Sequence, residues 1–253
     1  MFAIGWLTPL LLWAQGASVP PAIQQYLKHP GFEWKCEAGA HFQFCWEAGM
    51  ESDPNLAAAR NSAEAARNRV LQFAGASAYA PRIHVFFVAS TDRMQQLIGY
   101  HGEGRSRPVQ HAVFFVPTPI RPDLTHELAH EILTNLWGAA EAWIEEGMAA
   151  LLAEPFAVRD SCLSLAVRHA LIPLPELVNA HWNPTVYSPD VTYMELGGFL
   201  AFLRAGYGPE KVKQIWRGGS TSIPHVLGES LNSVEKAWRA ALDREVALRF
   251  TPQ

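Results

Sequence analysis

The run His126-Glu127-Leu128-Ala129-His130, followed by Trp143-Ile144-Glu145-Glu146-Gly147-Met148-Ala149, constrains this chain more than any other feature. On a helix, residues four apart share a face, so His126 and His130 can present their rings to one point in space. Only fifteen residues separate His130 from Glu146. Bringing a carboxylate to the same point therefore requires a tight connection between two helices. Glu127 lies about 100° round the helix from His126, so it need not ligate and can face a water that a metal activates. Two imidazoles and one carboxylate leave zinc a fourth position, which separates a catalytic centre from a closed structural one. His126 and His130 are thus candidate zinc ligands, Glu127 a candidate catalytic base, and Glu146 the candidate third ligand.

The flanking residues fit two helices. Arg121-Pro122-Asp123 reads as a helix start and Gly138 as a stop after Trp137. Leu124, Leu128, Ile132 and Leu136 form an i,i+4 stripe that buries one face while the histidines stay in place. A second helix is expected from about Ala139 to Ala153, with an inner stripe of Trp143, Glu146 or Gly147, Ala150 and Leu151. Glu146 then falls among apolar neighbours, where an unpaired carboxylate is costly and a metal ion offsets the cost. Glu141 and Glu145 read as a solvated face, although a shift in helix phase makes Glu145 the ligand instead. Gly147 permits close approach of a neighbouring backbone.

H-E-L-A-H followed by W-I-E-E-G-M-A resembles the gluzincin metallopeptidases, specifically the bacterial peptidase MA-like group, whose pattern is HExxH and then W-L-x-E-G-x-A. The resemblance extends over roughly Arg82 to Leu242. It takes in a strand, helix and strand (Ile83 to Ala89, Asp92 to Tyr100, Ala112 to Val116), then Tyr193 to Phe199 leading to Tyr207-Gly208, and a closing helix from Leu231 to Leu242. It implies Glu146 as the third zinc ligand and zinc as the cofactor. It also implies an α+β, zincin-like fold: a small, mostly antiparallel sheet packed on the active-site helix, with a helical C-terminal half. The activity implied is that of a zinc-dependent metallopeptidase, and the N-terminal residues described below make it an exported one. Two features depart from the better-known gluzincins: the short His130–Glu146 spacing, and Ala150 where an acidic residue commonly supports a zinc histidine. Gluzincins often supply an oxyanion donor well downstream of the zinc helix. Tyr193 is the candidate, with Tyr187 and His181 as rivals and a plain packing role for Tyr193 as the alternative. A non-catalytic zinc-binding scaffold and a zinc hydrolase acting on a non-peptide amide are the competing functions.

The remaining sequence sets the context. At 253 residues and 49% hydrophobic, the chain can bury a substantial core. A net charge of −4 with 20 basic residues argues against nucleic acid as the main partner; the resemblance implies a peptide or protein substrate instead. Residues 1–16 read as a signal peptide cleaved after Gly16, although no Lys or Arg precedes its apolar stretch, and a buried N-terminal helix is the alternative. That stretch is shorter than the roughly 20 residues of a membrane span. Residues 17–80 read as a hairpin and helix, and 81–250 as the catalytic domain.

The hairpin joins Phe32–Cys36 to Phe42–Trp46 through Glu37 to Ala40. It brings Cys36 near Cys45 as a disulfide in an oxidising compartment or as two buried thiols. Cys162 reads as a core residue. Ser52-Asp53-Pro54 opens an Ala-rich helix from Asn55 to Ala74, ended by Gly75. Ile83 to Val88 is apolar on both faces, an inner strand with His84 as a core histidine. Tyr100 to Arg105 reads as a glycine-containing loop. His111 to Pro117 is a strand, either interior or an exposed edge that pairs with an extended substrate. His111 starts it at the surface or facing the cleft.

Overall fold

The computed structural model describes residues 19–120, 123–179 and 188–250. Its fold is α+β, with a five-stranded sheet and a largely helical C-terminal half. The first half runs α1 (Pro21–Leu27), β1 (Trp34–Ala38), β2 (Phe42–Glu47), α2 (Pro54–Ala74), β3 (Ile83–Phe87), α3 (Thr91–Ile98), β4 (Gly104–Arg107) and β5 (Ala112–Phe115). The second half is α4 (Thr125–Trp137), α5 (Ala142–Ala153), α6 (Pro155–Val167), α7 (Leu174–Leu177), α8 (Pro189–Tyr207), α9 (Pro209–Gly218), α10 (Ile223–Leu227) and α11 (Leu231–Phe250). No described helix is long and apolar enough to cross a membrane.

Strand order is β1-β2-β3-β5-β4. The outer pairs β1–β2 and β4–β5 are antiparallel, whereas β2–β3 and β3–β5 are parallel. The sheet is therefore mixed, which corrects the expected mostly antiparallel arrangement. The cause is connectivity. The 21-residue α2 lies between β2 and β3, and α3 lies between β3 and β5, so each next inner strand starts again from the same end. Parallel neighbours need such crossovers, while a tight turn suffices for β1 and β2.

Period-2 alternation sends the sheet's side chains into two separate cores. Phe42, Phe44, Trp46, Ile83, Val85, Phe87, Val113 and Phe115 pack with α2, α4, α5 and α8 on one face. Cys45, Phe86, Val88, Ala112, Phe114 and Val116 pack with Ile23, Tyr26, Met94 and Leu97 of α1 and α3 on the other. Both faces of β3 are thus covered, as its continuous apolar run demands. The β2–β3 pairing joins the N-terminal hairpin to the sheet of the following residues.

Local signals set the element ends. Asp53 caps α2 by accepting the Asn55 amide at 2.8 Å, Pro54 takes the first helical position, and Gly75 ends the helix at φ +67°. Cys36 sits directly opposite Cys45 in the hairpin, and the two are disulfide-bonded, leaving Cys162 as a buried free thiol. Alkylation under denaturing conditions without reductant is accordingly expected to label Cys162 alone, and all three cysteines only after reduction. Intact mass spectrometry reads the difference, and three labels without reductant would contradict the bond.

Candidate metal centre

Helix α4 is amphipathic as its spacing requires. Leu124, Leu128 and Ile132 are wholly buried and Leu136 packs at the margin of the same core. Arg121 and Pro122, read as part of the helix start, lie outside the described residues. Asp123 Oδ1 accepts the Thr125 amide at 2.9 Å and so satisfies one donor at the helix start. The helix ends at Gly138, whose φ of +97° favours glycine.

The second helix begins at Ala142, three residues later than Ala139, because residues 138–141 form the tight connection. That connection is pinned from α9 and from the turn that follows it. Trp216 Nε1 donates to the Gly138 carbonyl at 2.7 Å and Arg217 Nε to the Trp137 carbonyl at 3.2 Å, so both occupy acceptors at the end of α4. Glu141 accepts from Trp143 Nε1 at 2.6 Å and from the Ser220 amide at 2.8 Å. Glu145 Oε1 accepts from the Ala140 amide at 3.0 Å. Neither acid forms the solvated face expected for it; both brace the turn between the two helices.

Helix α5 is apolar almost all round because it lies between α4 and α8. Leu152 rather than Leu151 is its buried leucine. A Cβ on Gly147 would stand 2.7 Å from Leu196 Cβ, and one on Gly197 3.1 Å from the Gly147 carbonyl oxygen. Glycine against glycine is what allows α5 and α8 to lie this close.

The α4–α5 pair gathers His126, His130 and Glu146 into a group that could hold a metal ion. His126 Nε2 lies 3.3 Å from Glu146 Oε2 and 3.3 Å from His130 Nε2, and His130 Nε2 lies 3.6 Å from Glu146 Oε2. Tetrahedral ligands at zinc distances of about 2.0–2.1 Å stand about 3.3–3.4 Å apart, so the triangle has the size of a zinc-type site. Burial opposes ionisation of Glu146, but hydrogen bonds with His126 and then His130 hold its carboxyl well below the usual range. Burial also opposes the charge on His130. Glu146, by hydrogen bond and by charge, with Glu127 and Glu145 behind it, nonetheless lifts that imidazole above its ordinary value. Among the described residues no other cluster of His, Cys, Asp and Glu converges in this way. His84 is buried in β3, its pKa pushed down to about 4 by burial and then by Arg82 and His111.

A cleft runs past the triad in two lobes of about 330 Å³ each. Glu103, Gly104, His126, Glu127 and Tyr193 line both lobes. Glu127 is 6% exposed and stands outside the ligand triangle. Tyr193, near the start of α8, lays its ring 6.4 Å from that of His126 at 28°. Burial, then the negative charge of Glu146, raises the Tyr193 phenol above its usual value, so it keeps its proton. The rivals Tyr187 and His181 lie outside the described residues, as does the cleavage site after Gly16.

Of the two readings of the His111 to Pro117 strand, the structure shows the interior one. β5 is an interior strand between β3 and β4, and all of it is buried. The edge is β4, which begins inside the stretch read as a loop. His111 is partly exposed, as a surface residue before the strand should be, and is not part of the triad. At φ +51° it turns its ring so that Nδ1 lies 2.9 Å from Glu131 Oε1. Glu131 is wholly buried and also accepts from the Tyr79 hydroxyl at 2.9 Å and the Ser106 hydroxyl at 3.4 Å. Burial pushes its carboxyl up to about 7 against those hydrogen bonds. Reasoning from the sequence missed Glu131, although its position four residues after Glu127 places both on one helix face. Gly104 carried no signal.

Models of known protein families, compared with the chain, gave no match, and curated proteins gave no similar sequence.

Proposed function

We propose that the protein is a zinc-dependent metallopeptidase with a zincin-like arrangement of its α+β fold, of the gluzincin kind that its two motifs resemble. One observation carries this reading: a zinc-sized triangle of two imidazoles and a carboxylate shares its cleft with a buried carboxylate that is not part of the triangle. His126, His130 and Glu146 are the residues to hold the ion. Bound there, zinc would supply Lewis-acid polarisation of a carbonyl and make a neighbouring water more acidic.

The chain's own residues do the rest. Glu127 accepts the proton of the attacking water and passes it to the leaving nitrogen. The Tyr193 hydroxyl donates a hydrogen bond to the oxyanion that develops on the substrate. The edge of β4 offers backbone groups to an extended peptide, with little sequence preference of their own. Export is part of the same reading, and the Cys36–Cys45 bond suits an oxidising compartment.

The test is cleavage of a peptide library by zinc-loaded protein, abolished by a chelator and restored by zinc. Tyr193→Phe is expected to lower kcat with little change in KM, as befits a contact made in the transition state. A zinc-loaded protein that is inert on a broad library would reject the peptidase in favour of a zinc-binding scaffold.

A further inference from the structure

Helix α4 and edge strand β4 meet in step along their lengths. Glu127, Glu131 and Asn135 lie four residues apart on one face of the helix, and Gly104, Ser106 and Pro108 lie two residues apart opposite them. The Glu127 carboxylate fills the space where a Cβ on Gly104 would stand. Ser106 Oγ donates to Glu131 Oε2 at 3.4 Å, and Asn135 Nδ2 donates to the Pro108 carbonyl at 3.1 Å. The match is geometric. Four helical residues advance about 6 Å and two strand residues about 6.7 Å, so the rungs at Gly104 and Ser106 stay in register, and Pro108, the first residue after β4, supplies the third.

We infer that this ladder aims Glu127: Gly104 is the notch that receives its carboxylate, and Glu131 is the positioning residue that fixes the notch against the helix. Glu131 is suited to the task because it is tied from several sides. Tyr79 precedes β3, His111 precedes β5 and Ser106 belongs to β4, and all three bond its carboxylate. Asn135 Nδ2 adds a bond to the Glu131 carbonyl at 2.7 Å. Sliding β4 along α4 breaks this network before it moves Glu127. Gly104 has an ordinary backbone conformation, with no positive φ, and the three nearest atoms to an added Cβ all belong to Glu127. A methyl group at 104 therefore meets first the end of a flexible side chain, and accommodating it swings the carboxylate away.

The kinetic arm of the inference rests on Glu127 acting as the base; the structural arm does not. Gly104→Ala is expected to keep its zinc stoichiometry and to melt within about 3 °C of the wild type, the shift that about 1 kcal/mol produces in a chain of this size. Its kcat on a cleaved peptide should fall about 10²-fold, the cost of displacing a reacting group by about 1 Å, with KM within about twofold. In its crystal structure the Glu127 carboxylate should have left the space over residue 104. Glu131→Ala should lower kcat in the same way, and Glu131→Gln, which retains an oxygen to accept from Tyr79, should restore most of it.

A Glu127 carboxylate that stays in place in the Gly104→Ala structure overturns the inference whatever the activity. Unchanged kcat in that variant, in a protein that does hydrolyse peptides, overturns it as well. If the wild type cleaves nothing, the peptidase reading fails, and the Gly104→Ala structure still decides the ladder. If Glu131→Ala does not fold, that structure still decides the notch, and Glu131→Gln decides the positioning role: kcat near that of the wild type is expected, and a fall of about 10²-fold would overturn it.

Discussion

Replacing Glu127 with Gln is expected to leave fold and zinc content intact and to lower peptide hydrolysis by about 10²–10⁴-fold, the usual worth of a general base. The amide has nearly the shape of the carboxylate, so it fills the same space beside Gly104. Glu127 stands outside the His126–His130–Glu146 group, so its loss removes no ligand. What it removes is the ability to accept the proton of water. Steady-state rates on a cleaved peptide, with zinc measured on the same sample, separate the two effects. Lost zinc together with lost activity would make Glu127 a structural support of the site. Full activity with zinc retained would exclude the general-base mechanism altogether.

The α4–α5 pair was legible because two independent patterns coincide in it. The i,i+4 leucine stripe fixes which face of α4 is buried, and that in turn fixes where the histidines project. Helix phase was the weaker inference in α5, and there the structure decides. Glu146 joins the triangle, and Glu145 turns back to the Ala140 amide. The residues that settle this, Trp216, Arg217 and Ser220, lie more than 70 positions from Glu141, so no local pattern announces them.

Strand β4 was illegible for a different reason. Gly104-Arg105-Ser106-Arg107 has neither the β-branched nor the aromatic residues that favour strands, and pairing with β5 alone makes it one. The parallel pairings, in contrast, leave a trace in the sequence. Strands separated by helices imply crossovers and parallel neighbours. The α2 and α3 segments between the inner strands thus point to a mixed sheet rather than a mostly antiparallel one. The disulfide remained one of two alternatives in the sequence because register alone places Cys36 opposite Cys45.

One zinc per chain is the stoichiometry expected by elemental analysis of protein purified without added metal, and His126→Ala is expected to abolish it. Loss of a group behind the ligands typically costs 10–100-fold in affinity; loss of one of three direct ligands should exceed that. Acidity should act on the same equilibrium, with a sign that follows from the site. Metal binding requires neutral imidazoles and an ionised carboxylate. Glu146 already meets that condition, since its neighbours hold it below the usual carboxylate range. At His130 burial opposes the charge, but Glu146, with Glu127 and Glu145, outweighs it and raises the pKa above its ordinary value in the metal-free chain. Protons therefore compete with zinc at higher pH than they would for an ordinary imidazole. Below that raised value each further pH unit costs about tenfold in affinity for each proton displaced. Zinc should be held more weakly as the pH falls, with the loss setting in at a higher pH than an ordinary imidazole would give, as read by competition with a chromophoric chelator. Glu146→Gln should remove both the third ligand and the charge that raises His130, so the variant should bind zinc far more weakly and its residual affinity should begin to fall only at lower pH. An affinity that is flat from pH 8 to 5, or a His126→Ala protein that keeps its zinc, would remove these residues from the metal site.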